Sequence, residues 1–290
     1  MKPHYVKFLH QVDRDDIFIV GGKNASLGEM IRNLSSSDIQ IPGGFATTVD
    51  AYRYFLKENS IQDKIQFLLN DFQKGLADLE NTGKAIRKLF TAADFPDDLS
   101  DAIRKAYKDL TRFSEGTGQD VAVRSSATAE DQPEASFAGM LDSYLNIRGE
   151  KELLDACRRC FASLFTDRAI SYREKMGLDH MDVSLCVGVQ RMVRSDKAGA
   201  GVMFSIDKDT GFPDLVVITA AWGLGESVVQ GTVIPDEYRV YKLLLDGMRE
   251  RPIVEKVLGG KEKKCVYREG GGVRDIATTR EERDSFVLHD

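Results

Sequence analysis

The chain has 290 residues, 42% hydrophobic and 30% charged, with a formal net charge of -6. That length fits one large domain or two lobes, and the composition is that of an ordinary globular protein. The acidic balance gives no global pull toward nucleic acid or an anionic membrane, so any residues that hold phosphate must act locally. The first sixteen residues, MKPHYVKFLHQVDRDD, lack an apolar signal core. No run approaches the roughly 20 apolar residues of a membrane span. A cytoplasmic protein is expected.

In chain order, residues 1–20 read as a short strand, a polar turn and a second short apolar run, Ile17 to Val20. A helix is predicted from about Ser26 to Leu34, capped by Asn24 or Ser26. Ile41 to Phe45 is a turn leading into a strand, and Ala51 to Lys57 is helical. Residues 60–117 are mostly helical, with Ile61, Ile65, Leu68 and Leu69 on one stripe and Ile103, Tyr107 and Leu110 on another. Asp120 to Val123 is a short buried strand that ends at Arg124, before a polar loop to about Ala138. Residues 150–176 read as one long helix, and Val183 to Met192 as a strand. From Ala200 onward the pattern turns to short β-rich runs separated by glycines, ending in a capped helix start at Thr278 or Thr279. This divides the chain into lobes 1–194 and 195–290.

Five segments have the composition for chemistry. Gly21-Gly22-Lys23-Asn24-Ala25-Ser26 puts glycines and a lysine before a helix, where free N–H groups attract anions. It is not a Walker A loop, since G-x-x-x-x-G-K-[ST] does not occur. A purely structural Gly-Gly turn fits these residues too. In VAVRSSATAED (121–131), the Arg124 fork can hold two phosphate oxygens beside hydroxyl donors. Pairing of Arg124 with Glu130 or Asp131 is the alternative. Ala135 to Tyr144 suits a loop that closes over a ligand, or an ordinary loop with an apolar anchor. Val189 to Val193 ends a strand with a side-chain amide and an apolar wall, able to read an adenine edge through backbone groups or simply to finish a core strand. Trp222 to Gly231 matches G-x-G-x-x-G only in its first two glycines, which makes a dinucleotide fold a poor reading. Glu226 there could accept hydrogen bonds from a ribose.

Cys157 and Cys160 form the one C-x-x-C pair among four cysteines. Without a second pair or a C-x-x-H partner, they read as two thiols on a helix rather than a zinc or redox site. The four histidines are scattered in settings that suit neither a catalytic triad nor a metal.

Taken together and in this order, GGKNASLGEM, VAVRSSATAEDQPEASFAGMLDSYLNI, GVQRMV and WGLGESVVQGTVIPDEY resemble the N-terminal region of phosphoenolpyruvate synthases (pyruvate, water dikinases) over essentially the whole chain. The resemblance implies an α+β, ATP-grasp-like nucleotide-binding domain of two lobes. It implies a parent enzyme that converts ATP, pyruvate and water to AMP, phosphoenolpyruvate and phosphate through a phosphohistidine on a swivelling domain. The partners it implies are ATP, that histidine domain and a pyruvate-binding barrel, with no nucleic acid and no membrane.

Carried over residue by residue, Lys23 and Arg124 match the family's basic residues on the ATP phosphates, and both are expected to be catalytic. Gly139 and Ser143 match the loop covering the nucleotide. Gln190, Met192 and Val193 match the strand lining adenine, and Glu226 matches an acid near the ribose. The sequence departs from the family pattern at Gln132 and at Met140-Leu141. The family's metal-binding glutamate strand and its Gln-Ala-Arg-Pro-Glu segment find no match after Cys265. The expectation is therefore a domain truncated at its C-terminal end, inactive by itself, with ATP and Mg²⁺ as cofactors and no metal ligands in this chain. A related ATP-grasp phosphotransferase, such as a rifamycin phosphotransferase, or a non-catalytic nucleotide-binding fragment are the alternatives.

Overall fold

A computed structural model of the chain describes residues 4–34, 39–112, 120–128, 141–245 and 251–289. The fold is α+β, built of helices and antiparallel sheets. It divides into two compact units, the first ending at Met192 and the second starting at Val193. Among the described residues, no helix is long and apolar enough to cross a membrane.

The first unit runs β1 (Val6–Phe8), α1 (Ile17–Val20), α2 (Gly22–Leu34), β2 (Gly44–Thr47), α3 (Val49–Glu58), α4 (Gln62–Gln73), α5 (Leu79–Ala92), α6 (Asp97–Thr111), β3 (Val121–Ala127), β4 (Ser143–Ile147), α7 (Glu150–Ser163), α8 (Asp167–Met176) and β5 (Leu185–Arg191). Its five strands lie in the order β1-β2-β5-β3-β4, and every pair is antiparallel. Successive strand residues face opposite sides of a sheet. Phe45, Val121, Val123, Leu185, Val187 and Val189 therefore share one face, and all are buried in the main core with residues of α3 to α8. Phe55, Phe90, Phe95 and Phe161 knit that core, with Phe55 5.0 Å from Phe95 and 5.5 Å from Phe161. Each phenylalanine buried in this way contributes about 1.5–3 kcal/mol.

Several elements differ from the sequence reading. The apolar run Ile17 to Val20 is a turn of helix, and α2 begins at Gly22 rather than at Ser26. Asn24 is therefore not a cap: it lies inside the helix, and its amide donates back to the Val20 carbonyl at 2.7 Å. Strand β3 continues to Ala127, so Arg124 stands in mid-strand rather than at its end. The long helix over 150–176 is two, because Thr166 leaves helical geometry and caps α8 by accepting from the Ala169 N–H at 3.2 Å.

Arg173 on α8 is buried, and of its guanidinium nitrogens only Nε has a hydrogen-bond partner among the described residues. Its Nε donates to His180 Nδ1 at 2.8 Å, and His180 Nε2 lies 2.7 Å from Glu174. Arginine only donates, so Nδ1 accepts and the imidazole is the Nε2–H tautomer donating to the carboxylate. Burial, with Arg173 adding to it against the pull of Glu174, holds the His180 pKa below its ordinary value.

The second unit contains β6 (Gly199–Phe204), β7 (Leu215–Trp222), α9 (Glu226–Val229), β8 (Asp236–Tyr241), β9 (Ile253–Val257), β10 (Lys263–Tyr267), β11 (Val273–Ala277) and α10 (Arg280–Asp284). Strands β6 to β9 form an antiparallel sheet in chain order, and β10 pairs with β11 in a hairpin. Strand β11 is absent from the sequence reading. The predicted capping box is present: Thr279 accepts from the Glu282 N–H at 3.1 Å, and Glu282 accepts from the Thr279 N–H at 2.9 Å.

The hydrophobic cluster in this unit is small, centred on Ala220, Tyr238 and Val287. A fully buried ion pair, Lys261 with Asp236, supplements it. The Asp236 carboxylate also accepts from the Gly259 and Val287 N–H groups, each at 2.8 Å. One side chain thus joins β8, the turn before β10 and the C-terminal segment.

Two predictions follow from these buried charges. The unfolded state binds the His180 proton more readily than the folded state. Stability is therefore full above an unfolded pKa of about 6.5 and falls as pH drops through it, by at most about 1.4 kcal/mol per pH unit. Melting followed by circular dichroism between pH 7.5 and 5.5 should show this slope, and His180→Gln should flatten it. In the second unit, Asp236→Ala leaves the Lys261 ammonium buried and unpaired, and should cost about 3–5 kcal/mol. Trp222, the only tryptophan, reports that unit's urea unfolding; a loss below about 1 kcal/mol would contradict this role for the pair.

Candidate functional site

The sheet face opposite the main core is stripped to small and polar side chains. Gly44, Ala46, Ala122, Arg124, Ser126, Gly188 and Gln190 alternate with the core positions along β2, β3 and β5. Helix α2 covers part of this face, with Ala25 and Ala46 buried beside Leu9, Val12 and Val20. The approach is too close for ordinary side chains. A Cβ on Gly21 would lie 2.4 Å from Ser126 Oγ, and one on Gly188 would lie 2.2 Å from Asn24 Oδ1. Gly21 also adopts φ +82°, a conformation that favours glycine.

This packing brings the first turn of α2 onto the row that carries Arg124. In register, Arg124 stands directly opposite Gly188 on one side and Ser143 on the other. Arg124 is exposed, yet desolvation by the surrounding protein lowers its pKa. A guanidinium so placed stays charged. Among the described residues no carboxylate pairs with it. Glu130 and Asp131, the acids that the alternative reading needed, lie outside the described residues, as does Gly139. Lys23 is exposed in the first turn of α2, and its charge is felt at the Cys160 thiol beneath β3. Ser143 is exposed at the start of β4.

Gln190 is buried on the same face, two residues along β5 from Gly188. Its amide donates to the Pro42 carbonyl at 2.9 Å, which anchors the turn entering β2. The backbone N–H groups of Arg191 and Met192 are likewise engaged, with Gly43 and Asp120, each at 3.0 Å. Val193 and Glu226 belong to the second unit. There Glu226 opens α9 and accepts from Gln230 at 3.0 Å. Cys265 Sγ lies 3.9 Å from its other oxygen. The turn before α9 is pinned by the Leu224 N–H on the Cys265 carbonyl at 2.8 Å.

Sequence reasoning missed Asn24, Ser126 and Gly188 as parts of this arrangement. Asn24 was legible only as a cap, and Gly188 had no signal beyond a glycine inside a strand pattern. A cavity of about 1060 Å³ opens elsewhere in the first unit, lined by Lys7, Phe18, Arg53, Thr128, Asp182 and Ser184 among others. None of the predicted site residues lines it. Among the described residues, no group of three or more His, Cys, Asp or Glu gathers as a metal ion requires.

Residues 17–290 match the family model described as the pyruvate phosphate dikinase AMP/ATP-binding domain. The chain belongs to this family. It is 50% identical, over 99% of its length, to the phosphoenolpyruvate synthase of Helicobacter pylori, covering 36% of that protein. It is 50% identical over 98% of its length to that of Aquifex aeolicus, covering 33%, and 47% identical over 98% to that of Escherichia coli K12, covering 36%. The chain thus spans about a third of the length of the curated relatives it matches.

Within this dikinase-family chain the C-x-x-C pair lies in the main core. Cys157 and Cys160 are free and buried in α7. Burial raises both pKa values, that of Cys160 to about 12. At pH 8 the native Cys160 should react with an alkylating reagent about a thousandfold more slowly than an exposed thiol, and normally once unfolded. Mass spectrometry of timed iodoacetamide labelling checks this, and rapid native modification would contradict it.

Proposed function

We propose that this chain is the ATP-binding part of a phosphoenolpyruvate synthase, with an ATP-grasp-like organisation of two lobes, 1–194 and 195–290. The parent enzyme would convert ATP, pyruvate and water to AMP, phosphoenolpyruvate and phosphate through a phosphohistidine on another domain. The observation that carries the reading is the near-50% identity over almost the whole chain to relatives named for that activity. Support from the molecule itself is a mid-strand arginine with no described acid partner, on the sheet face that receives the first turn of a thirteen-residue helix.

In this reading the triphosphate lies against Arg124, Lys23 and the first turn of α2. The guanidinium fork takes two phosphate oxygens, while Lys23 adds a mobile positive charge. Both offset the negative charge on the transferred group, which is the main contribution a protein makes to phosphoryl transfer. Ser143 and Gly139 belong to the segment over the nucleotide. Gln190, Met192 and Val193 line the adenine, and Glu226 serves the ribose. Gln190 Nε2 also donates to the Pro42 carbonyl, which holds the turn entering β2. Mg²⁺ accompanies ATP in such chemistry, and among the described residues no group of three or more His, Cys, Asp or Glu forms a cage for a resident ion.

Arg124→Ala should weaken ATP binding by about 1.5–3 kcal/mol, or roughly 10- to 150-fold, as expected for lost hydrogen bonds to a charged group. Calorimetry with ATP, with and without Mg²⁺, measures it. A variant that binds ATP as tightly as the native chain would remove Arg124 from the site.

A further inference from the structure

The juncture between α1 and α2 contains an irregularity that the nucleotide reading does not explain. At Gly21 the chain turns through φ +82°. The Val20 carbonyl is met by the Asn24 side-chain amide at 2.7 Å, while the Asn24 backbone N–H points to Ser126 Oγ on β3 at 3.4 Å. The other end of that amide, Oδ1, occupies the space where residue 188 of β5 would carry a Cβ, only 2.2 Å from its position. Asn24 is 2% exposed, so this is an internal contact.

Gly188 is the register partner of Arg124. Paired positions in an antiparallel sheet place their side chains next to one another on one face. The missing side chain at 188 therefore leaves a notch beside the base of Arg124, and the Asn24 amide fills it. Lys23 is the preceding residue. We propose that Asn24 and Gly188 form a lock that positions the first turn of α2, and with it Lys23, against Arg124. Asn24 is in this sense a positioning residue, touching the strand rather than the ligand. Its side chain alone can serve both ends: the NH₂ donates to Val20, and the carbonyl oxygen presses on the glycine. A helix merely packed on the sheet through Ala25 would be free to slide by fractions of a turn, and displacement on that scale is costly for groups that must meet phosphate oxygens.

The functional consequence rests on the proposed ATP site, so the test separates the two. Gly188→Ala, Asn24→Ala and the double variant are compared with Arg124→Ala on the full chain. Amide hydrogen exchange of the peptide containing residues 21–28 reads the position of the turn. Calorimetry reads ATP affinity, and the melting temperature confirms folding. Gly188→Ala should speed exchange and weaken ATP binding, each at least about fivefold, the scale of coupling between residues in contact. The double variant should recover both toward the Asn24→Ala values, because removing the amide vacates the space that the new methyl needs. Exchange unchanged in Gly188→Ala, or defects that add in the double variant, would overturn the lock. If Gly188→Ala fails to fold, Asn24→Ala decides, since it only removes atoms: unchanged exchange there overturns the proposal. If Arg124→Ala binds ATP normally, the nucleotide reading fails, and hydrogen exchange alone judges the lock.

Discussion

The five-stranded sheet of the first unit has to satisfy two neighbours that want opposite surfaces. Helices α3 to α8 bury one face, which is filled with Val, Leu and Phe. Helix α2 lies against the other, where Gly, Ala and Ser side chains accompany Arg124 and Gln190. A helix on a sheet is ordinarily held off by the side chains that interlock between them. Glycine at 21 and 188 removes that spacing at two points. The backbone of the first turn of α2 thereby reaches the strand that carries Arg124. The rest of the candidate site depends on this asymmetry: large residues on one face make the sheet rigid, and their absence on the other brings a helix end to it.

Presenting Arg124 from the middle of a strand has an energetic meaning. Its backbone is held by ladder partners on both sides, Ser143 and Gly188. The residues before and after it, Val123 and Ser125, are buried. Ser125 is itself tied, with its hydroxyl 3.0 Å from that of Ser163 on α7. An arginine on a flexible loop would have to order its backbone on binding, at about 1–2 kcal/mol per residue. An arginine fixed in a sheet orders only its side chain.

The second unit reaches order by another route. Its apolar cluster is too small to specify how β8, the 259–261 turn and the C-terminal segment meet, and the Asp236 carboxylate does so through directional bonds. Lys261 even adopts φ +41°, a conformation few non-glycine residues tolerate. Hydrogen bonds of the buried ammonium to Asp236 and to the Gly259 carbonyl offset that strain. Such a pair is weak evidence of stability but strong evidence of geometry, because any other arrangement would leave a charge buried without a partner.

These features divide what the sequence could and could not disclose. Helices α3 to α6 and strands β2 and β5 were legible because their apolar residues recur at the helix or strand period. The capping box at Thr279 was legible because it is local. The start of α2 was not: Gly-Gly reads as a break, and only packing on Ser126 and Gly188 makes helix the better choice there. The end of β3 was missed for the same reason, since Ser125 and Ser126 look like loop until their partners on β5 are known. Arg124 and Ser143 come from separate motifs, and their pairing depends on register, a property of strand pairs that no single segment carries. Gly188 is the clearest case. Alone it is a glycine in a strand, and its meaning comes from the amide of a residue 164 positions earlier that fills the place of its missing side chain.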